Sequence, residues 1–316
     1  MSISEFGLIQ QFFTRPAKNR CTQLSVGDDC ALLSIPDGFE LAITTDTMVE
    51  NIHFFPDVNP EQLAYKLLAV NLSDLASMGA EPIAVTLAIT LPKVDEQWLL
   101  AFSKGLFSLA DAYGIDLIGG DTTAGALTLS IQAMGLVPQG KALKRSGAKV
   151  GDLICVTGSV GDAGLGLKIK QGYVSDDMDT VLQHFNMPQP KVEQGLLLRD
   201  IASACIDISD GLAADLGHIL TASQCGAVLD CCRLPLSKAV QAYMLASNQP
   251  FFPLTSGEDY QLCFTVAPER LKLLSIDYTC IGSIEKQQGL RVINAAGQLV
   301  TFEPQGYDHF KTKAGE

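Results

Sequence analysis

Apolar positions in the N-terminal half of the chain follow helical spacing in some stretches and strand-like alternation in others. Between residues 60 and 78 they recur every three or four residues, which predicts a helix. Asn59 can cap this helix, Pro60 suits its first turn and Gly79 ends it. The same analysis predicts helices over residues 1–20 and 96–113, and strands over 31–34, 41–45, 83–91, 115–118 and 127–137. This order predicts an α/β domain.

The hydrophobic periodicity stops between residues 141 and 152, where basic and glycine residues become frequent. We therefore predict an N-terminal domain over 1–140 and a C-terminal α/β domain over 150–316. In the second domain Ser209 is predicted to cap a helix that runs through Gly217. The pattern further predicts a helix over 165–171 and strands over 153–156, 261–266, 278–284 and 290–293.

Two glycine-containing stretches approach known nucleotide-binding motifs without matching them. Gly158, Gly161, Gly164 and Gly166 lie between a strand and a helix, an order that can cradle phosphate, but their spacing is not GxGxxG. We expect them to allow close helix packing instead. The stretch GLVPQGKA (135–142) has Ala where a P-loop requires Ser or Thr, and no helix follows it. These differences argue against a Rossmann dehydrogenase and a P-loop NTPase.

Composition and charge exclude several classes of partner. The chain has 316 residues, 47% of them hydrophobic, and a net charge of −13 from 22 basic and 35 acidic residues. Such a charge repels nucleic acid and anionic membranes, so we expect neither as a partner. The nine cysteines form no CxxC pair and are predicted to be reduced core residues. Neither a signal peptide nor a membrane span is recognisable, so we expect a cytoplasmic protein.

Acidic residues recur next to small polar residues. Asp74 lies in the run VNLSDLASMGAEP and, three positions after Asn71, shares its helical face. Alone, it could be a solvated acid on an amphipathic helix. Three apolar runs also end in acids, and one further acid-bearing turn precedes a strand. Taken alone, each of these four stretches could be an ordinary turn. These are ITTDT (43–47), IGGDTT (118–123), IDISDG (206–211) and GDD (27–29). Together they predict carboxylates that converge beyond the strand ends.

Converging carboxylates require cations. Two unit charges about 4 Å apart repel by roughly 4 kcal/mol at an effective dielectric constant near 20. Several such pairs would approach the stability of a whole domain, about 5 to 15 kcal/mol. Oxygen ligands with few His or Cys residues nearby favour a hard ion, and Mg²⁺ is usually held by carboxylates together with substrate phosphates. The acids therefore point to phosphoryl chemistry.

Nine motifs in order along nearly the whole chain carry a family resemblance. They are GDDCALL (27–33), TTDT (44–47), His53-Phe54, NLSDLASMGAEP (71–82), GGDTT (119–123), RSGAKVGD (145–152), DISDGL (207–212), SGEDY (256–260) and GYDHF (306–310). Together they resemble the thiamine-monophosphate kinase family of the aminoimidazole ribonucleotide synthetase-like superfamily. The resemblance implies two α/β domains of that type, with a homodimer formed through the N-terminal sheet.

The resemblance also implies an activity and a set of site residues. The expected reaction is transfer of the ATP γ-phosphate to thiamine monophosphate with the help of several Mg²⁺ ions, without a protein nucleophile. The implied metal ligands are Asp29, Thr44, Thr45, Asp46, Asp74, Asp121, Asp207 and Asp210. The implied ATP contacts are Gly120, Asp121, Arg145 and Ser209, and the implied substrate contacts are His53, Glu258 and Tyr307.

Other interpretations remain open from the sequence. Arg145 lies in a basic patch with Lys141, Lys144 and Lys149, which could bind phosphate or be a solvated linker. The enzyme could be a different ATP-dependent member of the superfamily, such as a selenophosphate synthetase. That activity calls for a reactive Cys in a glycine-rich N-terminal loop, which Cys21 and Cys30 do not resemble. The chain could also be a non-catalytic protein that binds metal and nucleotide.

Overall fold

The computed structural model describes residues 4–302, which divide into two compact units. The first unit comprises residues 4–142 and 186–196, and the second comprises 143–185 and 197–302. The return of the chain to the first unit at 186–196 has no counterpart in the sequence prediction. It is anchored there by two hydrogen bonds, from Gln189 Nε2 to the Tyr65 hydroxyl (2.8 Å) and from the Tyr113 hydroxyl to the Pro190 carbonyl (3.1 Å).

The described part of the first unit contains a four-stranded sheet in the order β3-β6-β4-β5. The β4 and β5 strands are parallel, and the other neighbours are antiparallel. These strands are β3 (Phe39–Val49), β4 (Glu81–Leu91), β5 (Asp116–Ala124) and β6 (Thr128–Pro138). Helix α2 (Pro60–Ser77) packs against the sheet, and helix α3 (Glu96–Tyr113) packs against α2. The shorter elements are α1 (Glu5–Leu8), a π-helical turn (Ile9–Phe13), β1 (Thr22–Leu24) and β2 (Leu32–Leu33).

Helix α2 begins where its capping residues predict. The Asn59 side chain accepts a hydrogen bond from the Glu61 amide at 2.8 Å, and Pro60 occupies the first turn. Every residue from 63 to 73 is buried, whereas Asp74 is half-buried. The prediction of an amphipathic helix with a solvated face is therefore wrong for residues 63–73, and Asp74 is only partly open to solvent.

Three predicted elements of the first unit differ clearly from the observed ones. The N-terminal helix ends at Phe13 instead of near residue 20, and Thr14 is already extended. Pro16 lies just beyond and lacks the N–H group that a continuing helix requires. The motifs TTDT and GGDTT lie within β3 and β5 rather than beyond the strand ends. Both strands are longer than predicted because each pairs along its length with a neighbour, β6 and β4 respectively.

The described part of the second unit contains a seven-stranded sheet in the order β13-β12-β9-β11-β7-β10-β8. Strands β12 and β9 are parallel, and the remaining neighbours are antiparallel. The strands are β7 (Leu153–Val156), β8 (Ala204–Asp207), β9 (Gly226–Asp230), β10 (Leu262–Val266), β11 (Thr279–Glu285), β12 (Gly289–Ile293) and β13 (Leu299–Phe302). The remaining α-helices within residues 4–302 are α4 (Asp162–Lys170), α5 (Met178–Asn186), α6 (Val192–Leu198), α7 (Leu212–Ser223), α8 (Lys238–Ser247) and α9 (Phe252–Thr255).

Helix α7 packs into the core of this second unit. Its buried residues Leu216 and Ile219 belong to one hydrophobic cluster with Ile154 of β7 and Ile206 of β8. The helix begins at Leu212 with Gly211 at the N-cap, so the prediction that Ser209 caps it is wrong. In the described residues no helix has the length and apolar character that crossing a membrane requires.

The cysteines follow the prediction in part. All nine are free thiols. Five are buried, in agreement with a core role, but Cys30 and Cys232 are exposed. The difference arises because Cys30 lies in the turn before β2, and Cys232 lies in a short 3₁₀ turn after β9.

Candidate active site

Strand β3 and helix α2 bring three of the predicted metal ligands together. The Thr44 hydroxyl donates a hydrogen bond to the Asp74 carboxylate. Asp46, two residues along the same strand, lies on the same face, where burial and then the charge of Asp74 raise its pKa from 3.8 to about 7. A half-buried carboxylate pair of this kind favours protonation or a bound cation. Thr44, Asp46 and Asp74 form what we call the α2-side cluster.

Thr45 and Asp121 lie on the other face of the same sheet. Thr45 pairs with Gln132 of β6, and the Gln132 side chain contacts the Thr45 hydroxyl at 3.5 Å. Asp121 pairs with Ala88 of β4, and all four residues are exposed. We call this the open face of the sheet. It is separated from the α2-side cluster because successive residues of a strand point to opposite sides.

Across residues 4–302, no group of three or more His, Cys, Asp or Glu side chains is arranged to hold a metal ion. Within the first unit, the predicted ligands of strand β3 fall on two faces of the sheet. The reason in the first unit is the alternation along β3, which places Thr45 away from Thr44 and Asp46.

A cavity of about 1200 Å³ in the first unit is lined by three predicted site residues, one of them Asp121 of the open face. Asp29, Gly120 and Asp121 line it, together with Phe6 from α1. Gly120 has a φ of +154°, and a Cβ atom there would lie 1.8 Å from the Leu87 carbonyl oxygen. Glycine is thus required at this position by the close approach of β4 and β5, whatever the cavity binds.

His53 lies in the loop that follows β3 and is half-buried. Its Nδ1 accepts a hydrogen bond from the Val49 amide at 3.0 Å, and its own amide donates to the Val49 carbonyl at 2.9 Å. Because Nδ1 is an acceptor, the neutral imidazole carries its proton on Nε2. The loop therefore holds His53 in a defined tautomer with a donor at Nε2.

In the second unit, three consecutive amides converge on one buried carboxylate. The Ser209, Asp210 and Gly211 amides donate to Asp215 Oδ2 at 3.0, 3.0 and 3.1 Å. Asp215 is 3% exposed, and burial followed by the charge of Asp210 raises its pKa from 3.8 to about 7. Asp207, 4% exposed, ends β8 just before this loop. The loop that bears Ser209 and Asp210 is thus shaped by an acid in the first turn of α7.

The turn that bears Glu258 lies against the same loop. The Glu258 amide donates to the Ser209 carbonyl at 2.7 Å. A Cβ atom on Gly257 would lie 2.2 Å from that carbonyl oxygen, so the two backbones are in close contact. Glu258 adopts a φ of +66°, which is unusual for a residue with a side chain. Ser209, Asp210 and Glu258 are therefore neighbours within the second unit.

The glycine-rich stretch before α4 is held by an internal carboxylate. The Gly161 and Ala163 amides donate to Asp259 at 2.7 and 3.1 Å. Asp259 already occupies these amides, which a phosphate cradle would have to offer. Gly164 and Gly166 permit close packing, since Cβ atoms there would lie 2.3 Å from the Ser256 side chain and 2.4 Å from that of Phe185. The expectation of close packing is confirmed.

Comparison with known proteins identifies the family. The model for the AIR synthase related protein N-terminal domain matches residues 27–137, and that for its C-terminal domain matches 149–293. The chain is 49% identical to a thiamine-monophosphate kinase of Escherichia coli O157:H7 over 99% of this chain and 100% of that protein. The chain belongs to the thiamine-monophosphate kinase family. The resemblance seen in the sequence and the predicted two-domain α/β fold are thereby confirmed.

Solved structures of the thiamine-monophosphate kinase family agree with this fold. The crystal structure of thiamine-monophosphate kinase from Stenotrophomonas maltophilia K279a is 41% identical, with a TM-score of 0.81 over 86% of this chain and 91% of that one. A structure described as AaThiL complexed with AMPPCP and TMP is 28% identical, with a TM-score of 0.78 over 98% of this chain and 97% of that one.

For two residues that the family resemblance implies as ligand contacts, the structure gives no side-chain contacts that bear on ligand binding. Arg145 is exposed between β6 and β7, and its backbone carbonyl accepts a hydrogen bond from the Ser223 hydroxyl at 3.2 Å. Tyr307 lies outside the described residues. Their roles as ATP and substrate contacts stay predictions.

Sequence reasoning missed two buried acids, Asp215 and Asp259. Asp215 follows the DISDG motif in the first turn of α7, where an acid interacts favourably with free amides. Asp259 is part of the SGEDY motif itself, directly after Glu258. The position of Asp215 could have been read as a capping signal, whereas the partners of Asp259 lie almost 100 residues away and leave no local signal.

Proposed function

We propose that the chain transfers the γ-phosphate of ATP to the phosphate of thiamine monophosphate and so forms thiamine diphosphate. The observation that carries this proposal is the 49% identity to a thiamine-monophosphate kinase over essentially the whole of both chains. A relative whose structure contains AMPPCP, an ATP analogue, and TMP supports the two substrates.

The reaction requires no activated protein nucleophile. The attacking atom is a phosphate oxygen of the acceptor, which is already ionised near neutral pH. The protein's task is to align the two phosphates and to offset their negative charge. The arrangement of buried and half-buried acids with few basic groups fits this task if cations are bound between protein and substrate.

The residues of the α2-side cluster fit Mg²⁺. Asp46 and Asp74 repel each other, Thr44 adds a hydroxyl oxygen, and hard oxygen donors are what this ion prefers. Mg²⁺, when bound, neutralises phosphate charge and polarises the transferred group. The residues proposed to hold the ions are Asp29, Thr44, Thr45, Asp46, Asp74 and Asp121 from the first unit, and Asp207 and Asp210 from the second.

The proposed substrate contacts divide between ATP and the acceptor. Gly120, Asp121, Arg145 and Ser209 are assigned to ATP, where the Arg145 guanidinium can grip a phosphate with two hydrogen bonds. His53, Glu258 and Tyr307 are assigned to thiamine monophosphate. The donor at His53 Nε2 suits a phosphate oxygen, and the carboxylate of Glu258 suits the cationic rings of the acceptor.

We also propose a cytoplasmic homodimer that forms through the open face of the first unit's sheet. Leu41 and Ile43 of the edge strand β3 are 37% and 56% exposed, and they lie on the same side as Thr45. Exposed apolar side chains on a sheet face favour burial against a second copy. Sedimentation analysis of the wild type and of Ile43→Lys tests this: we expect a dimer and a monomer, respectively. A monomeric wild type would contradict the proposed interface.

The activity is tested by incubating the protein with ATP, Mg²⁺ and one acceptor at a time. Thiamine monophosphate should give ADP and thiamine diphosphate, whereas thiamine and unrelated sugar or nucleoside phosphates should not be phosphorylated. Phosphorylation of another acceptor alone would indicate a different superfamily activity. ATP binding without turnover of any acceptor would indicate a non-catalytic protein.

A further inference from the structure

Asp259 is a buried acid whose contacts join two distant parts of the second unit. It is 6% exposed, and its two carboxylate oxygens accept hydrogen bonds from Gly161 (2.7 Å) and Ala163 (3.1 Å) at the start of α4. These partners are 98 and 96 residues away in the sequence. Because both oxygens are used inside the protein, Asp259 is unsuited to contact a substrate directly.

The residues on each side of Asp259 have unusual backbone angles. Glu258 and Tyr260 have φ values of +66° and +48°, in the left-handed region that residues with side chains rarely adopt. Such conformations persist only where the surrounding structure enforces them. The Glu258 and Tyr260 amides donate to the carbonyls of Ser209 and Ile208, at 2.7 and 2.8 Å. The turn is therefore held on one side by the loop after β8 and on the other by α4.

We propose that Asp259 is a positioning residue for recognition of the phosphate acceptor, because it anchors the turn that bears Glu258 to the first turn of α4. The inference rests on the proposed function, which assigns Glu258 to the acceptor. Without the two hydrogen bonds to Asp259, the turn that holds Glu258 in its left-handed conformation loses its attachment to the start of α4. The Glu258 carboxylate would then sample orientations that do not match the acceptor. Ser209, which is assigned to ATP, should keep its position because its own amide is held by Asp215.

The test compares Asp259→Asn with Asp162→Asn. Asp162 is a matched control because, like Asp259, it is a buried acid next to the start of α4. Its carboxylate, however, accepts a hydrogen bond from the nearby Ser159 hydroxyl and does not anchor the turn that bears Glu258. We expect Asp259→Asn to raise the KM for thiamine monophosphate about tenfold or more, since small misplacements of a recognition group have effects of this size. The KM for ATP should change less than twofold. Asp162→Asn should leave both values within twofold.

A double-mutant cycle with Glu258→Ala separates positioning from a general loss of stability. If Asp259 acts through Glu258, adding Asp259→Asn to Glu258→Ala should cause no further rise in the acceptor KM. Additive effects in the cycle, or equal rises in the KM values for ATP and acceptor, would overturn the proposal.

Amide hydrogen exchange supplies a readout that does not depend on turnover. In Asp259→Asn the amides of residues 257–260 should exchange at least tenfold faster than in the wild type, and those of the α3 helix at the wild-type rate. Unchanged exchange in the turn would overturn the anchoring itself.

If Asp259→Asn does not fold, the same measurement on the wild type decides. Thiamine monophosphate should then slow exchange at Gly161 and Ala163 as well as at Glu258, and protection at Glu258 alone would refute the link. A wild type that phosphorylates no thiamine monophosphate would refute the proposed function, while exchange in the variant still decides the anchoring.

Discussion

The Thr44 hydroxyl donates a hydrogen bond to the Asp74 carboxylate, which joins the middle of strand β3 to the last turns of helix α2. Asp46 is brought to the same place by the alternation of β3, and its pKa rises to about 7 through burial and the charge of Asp74. The repulsion between these two carboxylates favours protonation of one of them or a bound cation.

We therefore expect opposite effects of Asp46→Asn on activity and on stability. Turnover with Mg²⁺ should fall at least about 100-fold, the scale for loss of one preorganised electrostatic group. In EDTA the same variant should unfold at a higher temperature than the wild type, because the repulsion with Asp74 is removed. Asp74→Asn should lose activity similarly. Full wild-type activity in EDTA, or in both variants, would contradict a metal-binding role.

Arg145→Ala should raise the KM for ATP more than the KM for the acceptor. A charge-assisted hydrogen bond contributes about 1.5 to 3 kcal/mol, so the expected rise is roughly tenfold or more. Arg145→Lys should restore only part of the affinity, since an ammonium group cannot form the planar two-bonded contact. Lys149→Ala, in the same basic patch, is the control. Equal ATP kinetics in all three variants would indicate a solvated linker.

The pH dependence of the free energy of unfolding should show the titration of the buried Asp259 carboxyl group. Burial, reinforced by the charges of Asp162 and Glu258 and opposed by the amides of Gly161 and Ala163, raises its pKa from 3.8 to about 7. Between these pH values the folded state binds more protons at this group than the unfolded state, so its contribution to the free energy of unfolding falls as pH rises.

Relative to Asp259→Asn, which cannot titrate there, the wild type should lose up to about 1.4 kcal/mol per pH unit between about pH 4 and 7. Urea denaturation at several pH values in EDTA measures this difference. Parallel stability curves for the two proteins would show that the carboxyl titrates at its ordinary pKa.

Gly195→Ala should destabilise the first unit. A Cβ atom at Gly195 would lie 2.0 Å from the Ala76 carbonyl oxygen, a backbone atom near the end of α2. Overpacking of this kind typically costs about 1 to 3 kcal/mol, and activity should fall as well because Asp74 lies two residues before Ala76. Gly119→Ala is the stability control, since a Cβ atom at Gly119 would have no neighbouring atom within 4 Å. Equal melting temperatures for both variants would contradict the predicted clash.

Local signals allowed the sequence to predict several elements closely. Helix α3 is observed over the predicted range, and α2 ends one residue before the predicted end. Both helices have capping residues at their starts, Asn59 and Asp95, and a glycine with positive φ after their ends. Signals of this kind act within one helical turn, so they can be recognised without the rest of the fold.

The sequence by itself therefore determined the helices with clear caps, the two-domain α/β class and the family, because these depend on short-range patterns and on motifs retained along the chain. Only the tertiary structure decided that β3 and β5 extend through their acidic motifs, since the pairing partners β6 and β4 are remote in sequence. It also decided that Thr44 and Asp46 meet Asp74 while Thr45 and Asp121 lie on the open face. The partners of Asp259 were equally hidden, because hydrogen bonds across almost 100 residues leave no periodicity for a sequence to show.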